Sequence, residues 1–194
     1  MLDLIKTRRS TRKYLDRPVP RELLEQIVEA GRYAPSGGNN QTGHFLVVTD
    51  PAVLARLAEM AQEAFAGMEV MENTYRSLAF AIQAAKRGGY VFHYHAPTLI
   101  IAANKKDYGN NMADTACALE NMMLMANALD LGSCWINQLR WLNEDPALLA
   151  YERELGLAED ERVYGAVAVG FADTPDGLPE RTPLPRTGNR VEYI

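Results

Sequence analysis

The sequence predicts an α+β fold, one sheet flanked by helices. Three observations lead there. Strand-like and helix-like stretches alternate irregularly, giving about four strands and no regular βαβ series. No G-x-G-x-x-G follows a strand and no G-x-x-x-x-G-K-[ST] occurs, so a dinucleotide Rossmann site and a P-loop both lose support. The length of 194 residues, with 47% apolar and 23% charged, suits a single domain over 1–194 without repeats or an internal linker.

In chain order, Leu2–Thr7 reads as a short helix, followed by the basic run Arg8–Lys13. Pro20–Ala34 is amphipathic, with Leu23, Leu24, Ile27, Val28 and Gly31 at helical spacing. The loop Pro35–Gly43 breaks it with turn-forming residues. Phe45–Thr49 is a strand. Asp50-Pro51 then matches an N-cap followed by proline in the first helical turn, opening a helix to Phe65. The 67–89 segment reads as helical, a candidate substrate lid. Thr98–Ala103 reads as a strand buried on both faces. Met112–Leu131 is a long apolar helix with Gly132 as its expected stop. Ser133–Ile136 is a short strand, Glu144–Leu155 a helix and Val163–Gly170 a strand. The tail, Asp173–Ile194, is rich in Pro and Gly.

The charge of −5 gives no general attraction for nucleic acid. Cys117 and Cys134 form no CxxC or zinc spacing, which points to a reducing compartment, the cytoplasm. Met1–Arg12 lacks the composition of a secretory signal. Asp114, Glu120, Asn121, Asn127 and Asp130 interrupt the apolar helix and are costly in a bilayer, so no membrane span is expected. A helix this apolar needs cover on nearly every side. Its own core and a partner subunit answer that need equally well.

Three constellations carry candidate chemistry. Arg8, Arg9, Ser10 and Arg12 combine guanidinium forks with a hydroxyl, a set that matches phosphate oxygens. Taken alone, the run reads first as a solvated basic turn. In Pro35–Gln41, Gly37 and Gly38 permit close backbone approach to a ligand, while Ser36, Asn39 and Gln41 offer polar groups. Taken alone, this reads first as an ordinary helix-ending loop. The tail carries Arg181, Arg186 and Arg190 and ends Val-Glu-Tyr-Ile, which suggests docking rather than fraying.

Together, R-R-S-x-R, A-P-S-G-G-N-N-Q, L-G-S-C-W-I and the basic tail occur in an order and rough spacing that resemble the nitroreductase family of flavoproteins, from Asp3 to Ile194. The resemblance implies a mostly antiparallel sheet, FMN as cofactor and NAD(P)H as transient hydride donor. It also implies a homodimer with FMN at the subunit interface and the long apolar helix at its centre. Arg8, Ser10 and Arg12 match positions contacting the FMN phosphate and pyrimidine ring, with Arg9 among them. Pro35, Ser36, Gly37 and Asn39 match a loop reaching the flavin from the partner, with Gln41 close behind. Ile136, Asn137 and Gln138 match backbone N–H groups near flavin N5 and O4. Arg186 and Arg190 match tail residues closing on the phosphate. No catalytic side chain is expected, because the flavin carries the hydride.

The implied activity is ping-pong reduction of small electron-poor compounds such as nitroaromatics or quinones. A reductive dehalogenase or flavin-fragmenting relative, or a flavin carrier without catalysis, are the alternatives. Glu72, Tyr75 and Lys86 are the residues a dehalogenase lid would draw on. The chain departs from the family pattern at Gln41-Thr42-Gly43, where Q-P-W is common. Asn137-Gln138-Leu139 replaces a glycine-rich strand end, and Thr187 stands where lysine is common. His93 and His95 form an H-x-H without a third ligand at recognisable spacing, so no metal is expected, and the pair is read as shaping the substrate cleft or a turn before Pro97. Trp141 is assigned to neither the pocket nor the dimer surface.

Overall fold

The computed structural model describes all of residues 1–194. Its elements are α1 (Leu2–Thr7), α2 (Arg21–Arg32), β1 (His44–Val48), α3 (Pro51–Ala66), α4 (Arg76–Arg87), β2 (Thr98–Lys105), α5 (Asn111–Ala128), β3 (Gly132–Ile136), α6 (Gln138–Trp141), α7 (Pro146–Glu154) and β4 (Glu161–Gly170). The four strands form one fully antiparallel sheet in the order β1-β2-β4-β3. No helix is long and apolar enough to cross a membrane.

Strand periodicity decides which side chain joins which core. In β2, Leu99 and Ile101 point to one layer, with Leu57, Phe65, Ile82 and Phe92, while Ile100 and Ala102 point to the other, with Ile27, Leu119 and Met122. This two-sided burial explains why Thr98–Ala103 is apolar without alternation. The first layer is covered by α3, α4 and α7, the second by α2 and α5.

The Asp50-Pro51 signal acts as a cap, and Asp145-Pro146 repeats it before α7. Asp50 accepts the Ala52 N–H at 2.7 Å, and Asp145 accepts the Leu148 N–H at 2.9 Å. The second shortens the expected helix from Glu144 to Pro146. The expected stop at Gly132 is corrected. The helix ends at Ala128, Asp130 takes the left-handed turn (φ 62°), and Gly132 already belongs to β3.

The polar residues of α5 have distinct duties. Asp114 accepts the Gly37 N–H at 3.2 Å, Asn121 donates to Ala30 O at 3.0 Å, and Asn127 donates to Leu4 O at 3.0 Å. One apolar helix therefore fastens the 35–41 loop, the end of α2 and the N-terminal helix. Met122 lies fully buried against Gly31, where any side chain at 31 would collide with it. The outward face of α5 carries exposed Ala113, Cys117, Glu120 and Ala128 around half-buried Leu124. Met122 thus belongs to the chain's own core, not to a surface left for a partner.

Candidate functional site

β3 is an edge strand. Its outer side is covered only at its start, where Ser10 bridges Ser133 and the Thr11 N–H donates to Ser133 O at 2.9 Å. This short pairing lays the basic run along the open edge. The side chains of Arg8, Ser10 and Arg12 gather around Cys134. Burial pushes that thiol's pKa up, while Arg12, Ser10 and Arg8 pull it down. Cys134 is thus a buried neutral thiol beside positive charge. Arg12 also lies over the Tyr94 ring, 5.8 Å from its centroid.

None of the ten ion pairs in the chain includes Arg8, Arg9, Arg12 or Arg186. Arg9 donates to Thr182 O at 2.6 Å and ties down the start of the tail. Arg8 and Arg12, both acting on Cys134 and neither in an ion pair, repel one another, and an anion between them offsets that repulsion.

At the far end of β3, Ile136 is buried and Asn137 and Gln138 turn into α6. Asn137 Oδ1 accepts from Trp135 Nε1 at 2.8 Å. Gln138 Oε1 accepts the Asn137 N–H at 3.1 Å, and Gln138 Nε2 donates to the Tyr90 hydroxyl at 2.7 Å. Burial pushes the Tyr90 phenol up to about 12, with the Gln138 bond opposing it, so it is a neutral hydrogen-bonding group. A ligand that takes the Asn137 N–H would have to displace the Gln138 oxygen.

The 35–41 loop does not join this cluster in the same chain. The Asp114 carboxylate that accepts the Gly37 N–H also accepts the Tyr108 hydroxyl at 2.9 Å. A side chain at 37 would meet that hydroxyl at 2.6 Å, and also the Asn110 amide, so position 37 requires glycine. Gly38 (φ 60°), Asn39 (φ 55°) and Gln41 (φ 52°) are left-handed, and the Gln41 N–H is held by Ser36 Oγ at 3.0 Å. Pro35 is exposed beside them. The loop anchors near the start of α5, whereas the basic run follows the α1 segment held by Asn127 near its end. At 1.5 Å per residue those anchors are about 20 Å apart.

The tail arginines divide. Arg181 donates to Asn127 O and to Asp130 Oδ1, the latter at 2.6 Å. Arg186 and Arg190 are exposed, and Arg190 pairs with Glu192 inside the tail. The residues proposed for a dehalogenase lid are not gathered either: Lys86 pairs with Glu69 at 3.2 Å, and Tyr75 meets the Trp141 ring edge-on.

Sequence reasoning missed Tyr90, Tyr94, Tyr108 and Asp114 as site residues. Asp114 had a signal, since a carboxylate in the first turn of an apolar helix suits the helix dipole and needs a donor. The tyrosines had none, because their roles come from contacts distant in sequence, as with Tyr94 over Arg12 and Tyr108 at Gly37.

Residues 5–171 match the model of the Nitroreductase family. A candidate NADH dehydrogenase/NAD(P)H nitroreductase of Archaeoglobus fulgidus is 31% identical over 88% of this chain and 84% of its own length. The nitrobenzene nitroreductase of Ectopseudomonas oleovorans is 28% identical over 92% of this chain and 88% of its own. The crystal structure of an FMN-bound nitroreductase from Bacteroides fragilis is 37% identical and superposes with a TM-score of 0.85, covering 100% of this chain and 98% of that one.

Proposed function

The chain belongs to the nitroreductase family, and on that premise we propose that it is an FMN-dependent oxidoreductase, driven by NAD(P)H, that reduces small electron-poor compounds such as nitroaromatics or quinones. The guanidiniums of Arg8 and Arg12, without ion pairs beside an open strand edge, carry this proposal. They fit a phosphate-bearing, flat cofactor: cations without internal partners for its charge, strand-edge and side-chain donors for its polar rim.

When bound, FMN supplies the two-electron carrier that accepts hydride from the nicotinamide and passes it to the acceptor. Arg8, Ser10 and Arg12 hold the phosphate and the pyrimidine side, with Arg9 steadying the tail beside them. Ile136, Asn137 and Gln138 offer donors where negative charge develops on reduction, as an oxyanion hole does. Pro35, Ser36, Gly37, Asn39 and Gln41 reach the cofactor from the partner subunit of a homodimer built on the outward face of α5. Arg186 and Arg190 close on the phosphate once the tail docks. Both cysteines are free, in keeping with the cytoplasm.

Donor and acceptor use one cleft in turn. Initial-rate plots with NAD(P)H and a nitroaromatic should therefore give parallel lines. Intersecting lines would require a ternary complex and would overturn the shared cleft. Anaerobic NADH and NADPH, added separately, should bleach the yellow protein with at least one of them. Bound FMN that neither nicotinamide reduces would make the protein a carrier instead.

A further inference from the structure

The amide of Asn137, just past the end of β3, is covered by a side chain of the same chain. The Asn137 side chain is committed elsewhere, because its Oδ1 accepts from Trp135 Nε1 at 2.8 Å. The Asn137 backbone N–H donates to Gln138 Oε1 at 3.1 Å. A backbone N–H can only donate, so the Gln138 atom that faces it must be the oxygen. The amide nitrogen is thereby turned the other way, onto the Tyr90 hydroxyl at 2.7 Å. These two bonds fix the Gln138 amide between a donor and an acceptor.

Tyr90 is itself held in place. Its N–H donates to Gln62 Oε1 at 2.6 Å, and its ring packs edge-on against Phe65, with 6.3 Å between centroids. Gln62 and Phe65 both belong to α3, and Phe65 is fully buried. So α3 holds Tyr90, Tyr90 holds Gln138, and Gln138 covers the Asn137 N–H. Asn137 and Gln138 are half-buried, so neither is sealed in the core. An N–H makes one well-aligned hydrogen bond at a time. The Gln138 oxygen and a flavin edge placed at Asn137 are therefore competitors for one donor.

We propose that the Gln138 side chain is a latch over the cofactor contact at Asn137, and that Tyr90 is the positioning residue that sets its strength. The inference rests on the flavin reading above. The latch holds flavin affinity below what the uncovered amide would give. Opening it costs about one neutral hydrogen bond, a factor of about two to ten in affinity. A residue that only supported the fold would act in the opposite direction, since its loss would weaken binding.

FMN and riboflavin are titrated into the flavin-free protein and followed by flavin fluorescence. Gln138→Ala should tighten both about two- to tenfold and by the same factor, because the contact lies on the ring they share. Tyr90→Phe keeps the ring on Phe65 and loses only the hydroxyl. It should tighten both about two- to fivefold. Added to Gln138→Ala, it should change nothing, since Tyr90 acts only through Gln138. Without flavin, hydrogen exchange of the Asn137 amide, followed by NMR, should be about threefold or more faster in Gln138→Ala than in wild type. Weaker or unchanged flavin binding in Gln138→Ala, an additive effect of Tyr90→Phe, or equal exchange of the Asn137 amide would each overturn the latch and leave the flavin reading standing. No flavin binding in wild type or either variant would overturn the flavin reading, and the latch with it. If Gln138→Ala does not fold, Tyr90→Phe decides alone.

Discussion

Asp114 and Asn127 stand on one helix, α5, with about 20 Å between them, the first receiving the Gly37 amide and the second holding the Leu4 carbonyl. The rigid helix keeps the 35–41 loop and the basic run apart within a chain. The cofactor site proposed above, which draws on both, would then be shared between two copies. Arg8→Ala and Gly37→Val proteins should each bind FMN poorly, the second because a side chain at 37 strikes Tyr108 and Asn110. Mixed and allowed to exchange subunits, they should regain FMN binding, since each heterodimer holds one composite site free of both changes. No recovery in demonstrated heterodimers would place the whole site in one chain.

The outward face of α5 predicts a contrast between two neighbours. Leu124 is half-buried among exposed Ala113, Cys117, Glu120 and Ala128, while Met122 is fully buried on Gly31. Leu124→Arg should yield a folded monomer in sedimentation analysis, with native far-ultraviolet circular dichroism. Met122→Ala should leave the dimer contact alone but cost about 2–5 kcal/mol in stability. A dimeric Leu124→Arg protein would move the interface off this face.

These neighbours also mark what the sequence could tell. Apolar content along Met112–Leu131 announced a buried helix, because a stripe wider than one face needs cover all round. It could not say which methionine faces Gly31, since that depends on how α2 crosses α5. Asp50-Pro51 was legible because capping is local. The four strands were legible, Phe45–Thr49 from its β-branched content and Thr98–Ala103 from its continuous apolar run, yet their order was not, because long-range pairing leaves no mark in a single strand. The basic run was visible as charge. That it lies on the β3 edge follows only from the Ser10–Ser133 bridge. The H-x-H was legible as part of the substrate cleft or of a turn before Pro97, and a left-handed turn does hold Tyr94 and His95.

A buried acid gives the protein an inverted pH response. Glu152 is 1% exposed and its Oε1 has no partner. Burial raises its pKa to about 8, with Arg162 opposing. The folded state therefore keeps a proton that the unfolded chain loses near 4.5. This contribution is complete below 4.5 and falls away as pH rises toward 8, by up to about 1.4 kcal/mol per pH unit. Glu152→Gln should remove that slope and be more stable than the wild type at pH 8 by about 1–3 kcal/mol. Urea melts at pH 5 and pH 8 measure it. Wild type and variant changing in parallel would show that Glu152 ionises normally.

The arginines without ion pairs along β3 should bind a flavin through its phosphate. FMN and riboflavin differ only in that group, so their affinities for wild type and Arg8→Ala test the claim directly. A charge-assisted contact contributes about 1.5–3 kcal/mol. Arg8→Ala should then weaken FMN about ten- to a hundredfold and leave riboflavin almost unchanged. Equal weakening of both ligands, or of neither, would contradict the phosphate clamp and return Arg8–Arg12 to a solvated basic turn.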